Sequence, residues 1–406
     1  MSSFIKLSDI AKLTVGFVGT MAPHYEESGI PFLRSLNIKP FQIDNRDLKY
    51  ISREFADKIS KSTLHTDDVV IVRTGIPGTC CVVPQEFDES NCSDVVIVHP
   101  NKAKVNPHFL AAYINYWGKY QIQNSKVGAI QQHFNVHSAE NLLIFLPSIE
   151  RQNKVASIAT SINSKLEINN RISAELEAMA KMLYDYWFVQ FDFPDENGKP
   201  YRASGGEMVW NDELKREIPK GWIVGPLSNI ADIVMGQSPS GDSYNENQEG
   251  IIFYQGCTDF GIRFPVPRMY TTAPTRFAKK NDILLSVRAP VGSLNFTMED
   301  CCIGRGLSAL RSKLGSQLHL FYTLLQLKQF FDVANSNGTT FGSITKDMLY
   351  NLQVVIPPKA IVDSFETICS SGEKKIITAE TESRELTRLR DWLLPMLMNG
   401  QAWIEE

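Results

Sequence analysis

No apolar run in these 406 residues approaches the ~20 residues a membrane-spanning helix needs. The start, Met1-Ser2-Ser3-Phe4, lacks the basic and apolar regions of a secretory signal. Cys-x-x-Cys is missing as well. The seven cysteines fall as two adjacent pairs, Cys80-Cys81 and Cys301-Cys302, and three singles. That odd count argues against a disulfide framework or a zinc site and for reduced thiols in a cytoplasmic setting. Charge of one sign is scarce, since 41 Lys+Arg meet 45 Asp+Glu for a formal net charge of −4. A free-standing electrostatic binder of nucleic acid is typically basic, so any such grip has to come from local patches or from partners.

Enzyme signatures are incomplete. Asn106-Pro107-His108-Phe109 approaches the Asn-Pro-Pro-aromatic motif of amino-methyltransferases but lacks the second proline, and reads instead as a helix start. Gly304-Arg305-Gly306 has no third glycine in place for a nucleotide loop. Pro194-Asp195 is followed by a turn, Glu196-Asn197-Gly198-Lys199, and not by the Glu-x-Lys strand of a nuclease. His133 and His137 have no Glu between them and no evident third ligand.

What is present is a helical pattern that occurs twice. From Ser148 to Gln190, Ile158, Ile162, Ile172, Leu176, Met179, Leu183 and Tyr186 alternate steps of four and three once Lys165 and Asn169 fill two gaps. The spacing predicts a coiled-coil seam with two polar core positions that fix register. From Lys359 to Gly400 the pattern returns at an offset of 210 residues with Ile368, Leu386, Leu389, Leu393 and Met396. Forty-odd residues at about 1.5 Å rise give a paired rod roughly 60 Å long.

The blocks before these helices also repeat. Leu227-Ser228-Asn229-Ile230-Ala231 answers Leu7-Ser8-Asp9-Ile10-Ala11 at offset 220, and Ile251 to Gln255 answers the strand candidate from Ile30 at 221. Asp282-Ile283-Leu284-Leu285 answers Asp68-Val69-Val70-Ile71 at 214, and the turn from Gly338 answers that from Gly128 at 210. Four matches in order establish an internal duplication of a whole domain plus helix. The expected division is a first domain over 1–148, a first long helix over 149–190 and a polar linker over 191–220. A second domain over 221–358 and a second helix with the C-terminus over 359–406 complete it.

Scaffold repeats while loops differ. Gly19 to Tyr25 faces Gly236 to Tyr244, and Arg73 to Gly78 faces Arg288 to Gly292 with one residue inserted before the arginine. Gln131 to Asn135 faces Phe341 to Thr345. These loops carry the amide, hydroxyl, arginine and aromatic side chains that read base edges and grip phosphates. The DNA-contact candidates in the first block are Thr20, Tyr25, Arg34, Arg73, Thr74, Gln131, Gln132 and His133. In the second they are Gln237, Ser238, Ser240, Tyr244, Gln255, Arg288, Arg305, Thr339, Thr340 and Phe341. Lys279 and Lys280, with Arg276, form a candidate basic patch.

Two similar blocks, each followed by a long helix, resemble the specificity subunit of type I restriction–modification systems over essentially the whole chain. Phe191-Asp192-Phe193-Pro194, Ile303-Gly304-Arg305-Gly306-Leu307 and Trp392-Leu393-Leu394-Pro395 look like phrases of that family. The first block departs from it, having no counterpart of Gly304-Arg305-Gly306. The resemblance implies an α+β chain in which two mixed α/β target-recognition domains are separated by two antiparallel coiled-coil helices. The arrangement would be circular, with a pseudo-two-fold axis. Each domain would read half of a split, asymmetric site on double-stranded DNA, and the helices would set the spacer. Ile172, Leu176, Leu183, Leu386 and Leu393 would help dock two methyltransferase subunits. The resemblance implies no catalysis and no metal in this chain, with S-adenosylmethionine bound by the methyltransferases and ATP by motor-nuclease subunits. The competing reading is a duplicated protein-interaction scaffold without DNA sequence preference.

Overall fold

Where valine, isoleucine and leucine run together without alternation, the chain builds strands buried on both faces. Val69–Val72 and Val95–Pro100 pair antiparallel at the centre of a four-stranded sheet, with Ala11–Val15 and Cys80–Val82 at its edges. Val69 and Ile71 enter one core with Phe109 and Leu110, while Val70 and Val72 enter another with Leu33 and Leu64. This computed structural model describes residues 3–124, 134–336, 343–399 and 401–402. Among them no helix is long and apolar enough to cross a membrane.

The architecture is α+β, and the chain divides into two units. Unit 1 is Met1–Ile172 with Thr378–Glu406, and unit 2 is Ser173–Ile377. In unit 1, Ser3–Lys6 pairs with Leu143–Leu146, and Ile30–Leu33 lies antiparallel to Lys49–Ile51 and parallel to Asn91–Cys92. Unit 2 repeats the four-stranded sheet in the same order with Ala231–Met235, Leu307–Ser312, Ile283–Ser286 and Leu294–Phe296. There Ile223–Pro226 pairs with Gln353–Ile356, and Ile251–Tyr254 runs parallel to Cys301–Ile303. Matching backbone bonds recur: Leu7 N–H donates to the Leu142 carbonyl at 2.9 Å and Leu227 N–H to that of Leu352 at 2.7 Å.

A helix packs on each large sheet. Pro107–Tyr113 is capped by Asn106, whose side chain accepts from the N–H groups of His108 and Phe109. In unit 2 Ser316 Oγ accepts from His319 N–H at 2.9 Å at the start of Gln317–Ser336. Each cap satisfies donors that the first turn leaves without partners.

The long helices are Ile149–Tyr184, continued by a wider turn through Asp185–Val189, and Lys359–Asn399. Within unit 1, Arg151 donates to the Leu397 carbonyl at 2.9 Å and Arg390 to Asn163 at 3.0 Å. The Asn169 amide donates to Glu382 at 2.9 Å, Ser383 at 3.2 Å and the Ala379 carbonyl at 3.3 Å. Partner numbers fall as first-helix numbers rise, so the two segments in unit 1 run in opposite senses. Within unit 2, Arg263 joins Glu177 of one helix at 3.1 Å to Glu373 of the other at 2.5 Å.

The helices depart from the expected seam. Ile162 and Asn169 are buried and Leu176 and Leu183 half-buried, but Ile172, Met179 and Tyr186 are exposed and Lys165 lies in solvent. The covered positions between them are Ala159, Ser173 and Ala180, each one residue further on. Small side chains let another backbone approach, so bulk misidentifies the packed face. In the second helix Ile368 and Leu389 are likewise exposed, while Cys369, Ile376 and Ala379 are buried. Residues 191–220 also differ from a bare linker. They contain the hairpin Met208–Asn211 and Arg216–Pro219, and Phe191 and Phe193 are buried against Trp222 at 5.4 and 5.0 Å between ring centres.

Candidate nucleic-acid interface

In each unit a loop at the end of the central strands forms a corner where several backbones meet. In unit 2, Gln237 N–H donates to the Ile303 carbonyl, Gly304 N–H to that of Tyr254 and Val287 N–H to that of Gly306, at 2.8 to 3.0 Å. No side chain fits at these contacts. A Cβ on Gly236 would lie 2.2 Å from the Gly304 carbonyl oxygen, and one on Gly306 would lie 2.7 Å from that of Gln255. Glycine is therefore required by close approach here, and Arg305 sits between Gly304 and Gly306 on a loop tied down by backbone hydrogen bonds.

The corner gathers five sequence candidates: Gln237, Ser238, Gln255, Arg288 and Arg305. Ser238 Oγ accepts from Arg305 N–H at 3.4 Å. The side chains of Gln237, Gln255, Arg288 and Arg305 are exposed. Ser240 is exposed nearby, and Tyr244 stacks on Phe253 at 4.8 Å while donating to the Pro239 carbonyl at 3.0 Å. Tyr244 and Gln255 line a cleft of about 590 Å³ with Thr258, Asp259 and Arg268. Thr275, which sequence reasoning passed over, donates its hydroxyl to the Gln237 carbonyl at 2.5 Å. Its segment answers Lys61-Ser62-Thr63 of unit 1, since Phe277 pairs with Cys302 as Thr63 does with Asn91, but the two share no residues, so the duplication offered no cue. Lys279 and Lys280 are exposed, with Lys280 N–H bonded to Asp300 at 2.8 Å.

Unit 1 makes the same corner with other side chains. Phe17 N–H donates to the Cys92 carbonyl, Ser93 N–H to that of Leu33 and Arg73 N–H to that of Asp94, at 2.8 to 3.3 Å. Ser93-Asp94 thus stands where unit 2 has Gly304-Arg305-Gly306. The loops after the central strands have equal length, since Gly78 N–H returns to the Val72 carbonyl as Gly292 N–H returns to that of Ser286. No residue is inserted before the arginine. Arg73 occupies the place of Val287, and Thr74 the place of Arg288.

The remaining unit 1 candidates are mostly engaged. The Thr74 hydroxyl donates to the Asp94 carboxylate, and Arg73 Nε donates to the Phe134 carbonyl at 3.2 Å. Arg34 pairs with Asp47 at 3.0 Å and lies 6.0 Å over the half-buried Tyr25 ring. Lys49 first, and then Arg34, hold the Asp47 carboxyl below its ordinary range. Thr20 is exposed. Gln131, Gln132, His133, Thr339, Thr340 and Phe341 lie outside the described residues. Of the turns that contain them, Asn135 and Thr345 are helix caps, accepting from Ser138 N–H at 2.8 Å and Met348 N–H at 3.3 Å. Burial pushes the thiols of Cys80, Cys81, Cys92 and Cys301 upward, so they remain protonated and offer no nucleophile.

On the long helices Ile172 is exposed, whereas Leu176, Leu183, Leu386 and Leu393 are half-buried. Of these four, Leu176 and Leu183 pack against the unit 2 core and Leu393 against the unit 1 core.

Comparison with known proteins agrees with the duplication. The family described as the type I restriction modification DNA specificity domain matches residues 2–178 and again 219–379. A Methanocaldococcus jannaschii protein, provisionally named the specificity subunit of type I restriction enzyme MjaX, is 26% identical over 400 residues, covering 95% of this chain and 90% of its own. The HindI specificity subunit of Haemophilus influenzae is 24% identical over 375 residues, covering 75% and 80%. The crystal structure of a type I restriction–modification S subunit from M. genitalium shares the fold at TM-score 0.61 and 13% identity, over 98% of this chain and 96% of that one. With the family's domain present twice and spanning most of its length, this chain belongs to the type I restriction–modification DNA specificity family.

Proposed function

We propose that the chain is the non-catalytic, DNA-reading specificity subunit of a type I restriction–modification complex, each recognition block reading one half of a split site. One observation carries this reading: the same backbone corner occurs twice with different side chains on it. A scaffold that keeps its hydrogen bonds while Thr74 stands for Arg288, Asp94 for Gly306 and nothing for Arg305 presents two unlike surfaces, as an asymmetric site requires. The long helices would form an antiparallel coiled coil that sets the spacer, as fixed separation does for other two-headed readers. The antiparallel contacts within unit 1 and the buried amide of Asn169, a polar layer of the kind that fixes register, support that part.

Exposed Ile172, with Met179 and Met182 on the same helix and Leu389 and Trp392 on the other, offers apolar surface for two methyltransferase subunits. Those subunits would supply S-adenosylmethionine and adenine methylation, and motor-nuclease subunits would supply ATP-driven cleavage, in the cytoplasm. The test is methylome sequencing of cells carrying the chain with its methyltransferase, before and after residues 1–148 are replaced by those of another family member. A bipartite motif in which only one half changes is the expected result. Active methylation with no motif dependent on this chain would leave a protein scaffold instead.

A further inference from the structure

The recognition blocks treat their arginines differently. Block 1 has four, at 34, 46, 53 and 73. Arg34, Arg46 and Arg53 pair with the carboxylates of Asp47, Asp44 and Glu89, and Arg73 is half-buried with its Nε held by the Phe134 carbonyl. Block 2 has six, of which Arg263, Arg268 and Arg311 are paired with carboxylates. The other three, Arg276, Arg288 and Arg305, are exposed and have no carboxylate partner among the described residues.

Those three converge on one loop. The Arg276 carbonyl accepts from Ile303 N–H at 2.9 Å, and Val287 N–H to the Gly306 carbonyl at 3.0 Å sets Arg288 beside Arg305. At the positions of Arg288 and Gly306, unit 1 has a hydroxyl and a carboxylate bonded to each other, and Arg305 has no counterpart there. We infer that the loop from Ile303 to Leu307, with Arg276 and Arg288, is an anchor for the phosphodiester backbone of duplex DNA, and that the matching corner of unit 1 has none. The chain's electrostatic grip is then one-sided: unit 2 supplies the salt-dependent part of binding. This inference rests on the DNA-reading function proposed above.

Three exposed guanidiniums without carboxylate partners among the described residues, one on the glycine-lined loop and two on segments bonded to it, suit phosphate, which takes arginine from many directions and carries no sequence information. Each phosphate contact releases condensed counterions, so each adds about 0.9 to the steepness of log affinity against log salt. The test measures anisotropy of a labelled duplex carrying the recovered motif, and of an unrelated duplex, over a salt series. It uses the full chain assembled with its methyltransferase subunits. Arg276→Gln, Arg288→Gln and Arg305→Gln should each flatten the slope by about 0.9, and the triple variant by about 2.7, equally on both duplexes. Arg73→Gln in unit 1 should leave the slope unchanged. Thermal unfolding should match the parent, because all three side chains are exposed.

An unchanged slope in the triple variant overturns the anchor. So does an Arg305→Gln effect confined to one base-pair substitution in the motif, since that marks a base reader. If the parent prefers no sequence yet the triple variant still flattens the slope, the anchor stands and the split-site reading falls. A parent that binds neither duplex removes both.

Discussion

At the start of the central strand in each unit an aspartate does the same backbone work beside a different neighbour. Asp68 accepts from His65 N–H at 2.8 Å, and Asp282 accepts from Lys279 N–H at 2.8 Å. Across the sheet Asp68 meets His99 Nδ1 at 2.7 Å, whereas Asp282 takes Arg311 in two bonds of 2.8 Å. The hydrogen bond to Asp282 holds the Arg311 pKa above its ordinary value. The cores show the same freedom, since the third residue after the helix cap is Phe109 in unit 1 and His319 in unit 2, both buried. The fold holds fast to side chains that satisfy the backbone and lets their partners drift.

The sharpest break should come from Arg263, which is 2% exposed between Phe296 and Phe321 and joined to Glu177 and Glu373. Arg263→Ala leaves two carboxylates without their cation and should cost about 3–5 kcal/mol in denaturant unfolding. Arg390→Ala in unit 1, where the neighbours are Asn163, a half-exposed Asp391 and the Phe41 ring at 5.2 Å, strands no buried charge and should cost less, about 1–2 kcal/mol. Equal losses would show that the units are clamped alike.

His319 comes next. Burial lowers its pKa from 6.5 to about 4, and its Nδ1 has no hydrogen-bond partner among the described residues. The unfolded chain accepts this proton more readily than the folded one, so the stability is full above the unfolded pKa and is lost as pH falls from about 6.5 towards about 4. The loss should reach at most about 3 kcal/mol. His319→Phe installs the unit 1 solution, so the gap between unfolding midpoints at about pH 7 and about pH 4.5 should shrink. An unchanged gap would mean that other groups govern acid stability.

Smaller effects test the aspartates. Asp68→Ala and Asp282→Ala should each cost about 1–2 kcal/mol, read from the same unfolding curves, because each leaves a turn N–H and a cross-strand partner unmatched. Smallest of all, His99→Arg should change stability by less than about 0.5 kcal/mol, since unit 2 already uses that pairing. A large loss there would mean that the neighbours are less exchangeable than the two units suggest.

The duplication was legible because its signals, strand runs and a paired offset, are dense and ordered. The long helices were legible for the same reason, but half of the seam was not. Ala159, Ser173 and Ala180 pack because they are small, and a search for bulk selects Ile172 and Met179 beside them. Phe191 and Phe193 were concealed by the turn residues around them, though aromatic side chains rarely stay in solvent when a Trp222 is at hand. At the site, arginine could be found in the sequence but its availability could not. Arg73 and Arg288 look alike on paper, and only the hydrogen bonds show that Thr74 is the true counterpart of Arg288. Glutamine and arginine at the corner of unit 2 were anticipated individually; their convergence depends on four backbones meeting, which no local pattern encodes.

The partition of the chain also orders its synthesis. Unit 2 is one continuous stretch, Ser173–Ile377, whereas unit 1 needs Thr378–Glu406 as well. Its core includes Leu394, Leu397 and Met398 beside Val155, Ala156 and Ala159. A ribosome delivers those three leucine and methionine side chains only after the whole of unit 2. Domains usually complete in order from the N-terminus, but here the later-encoded core can close while the earlier one still waits for its final turns of helix.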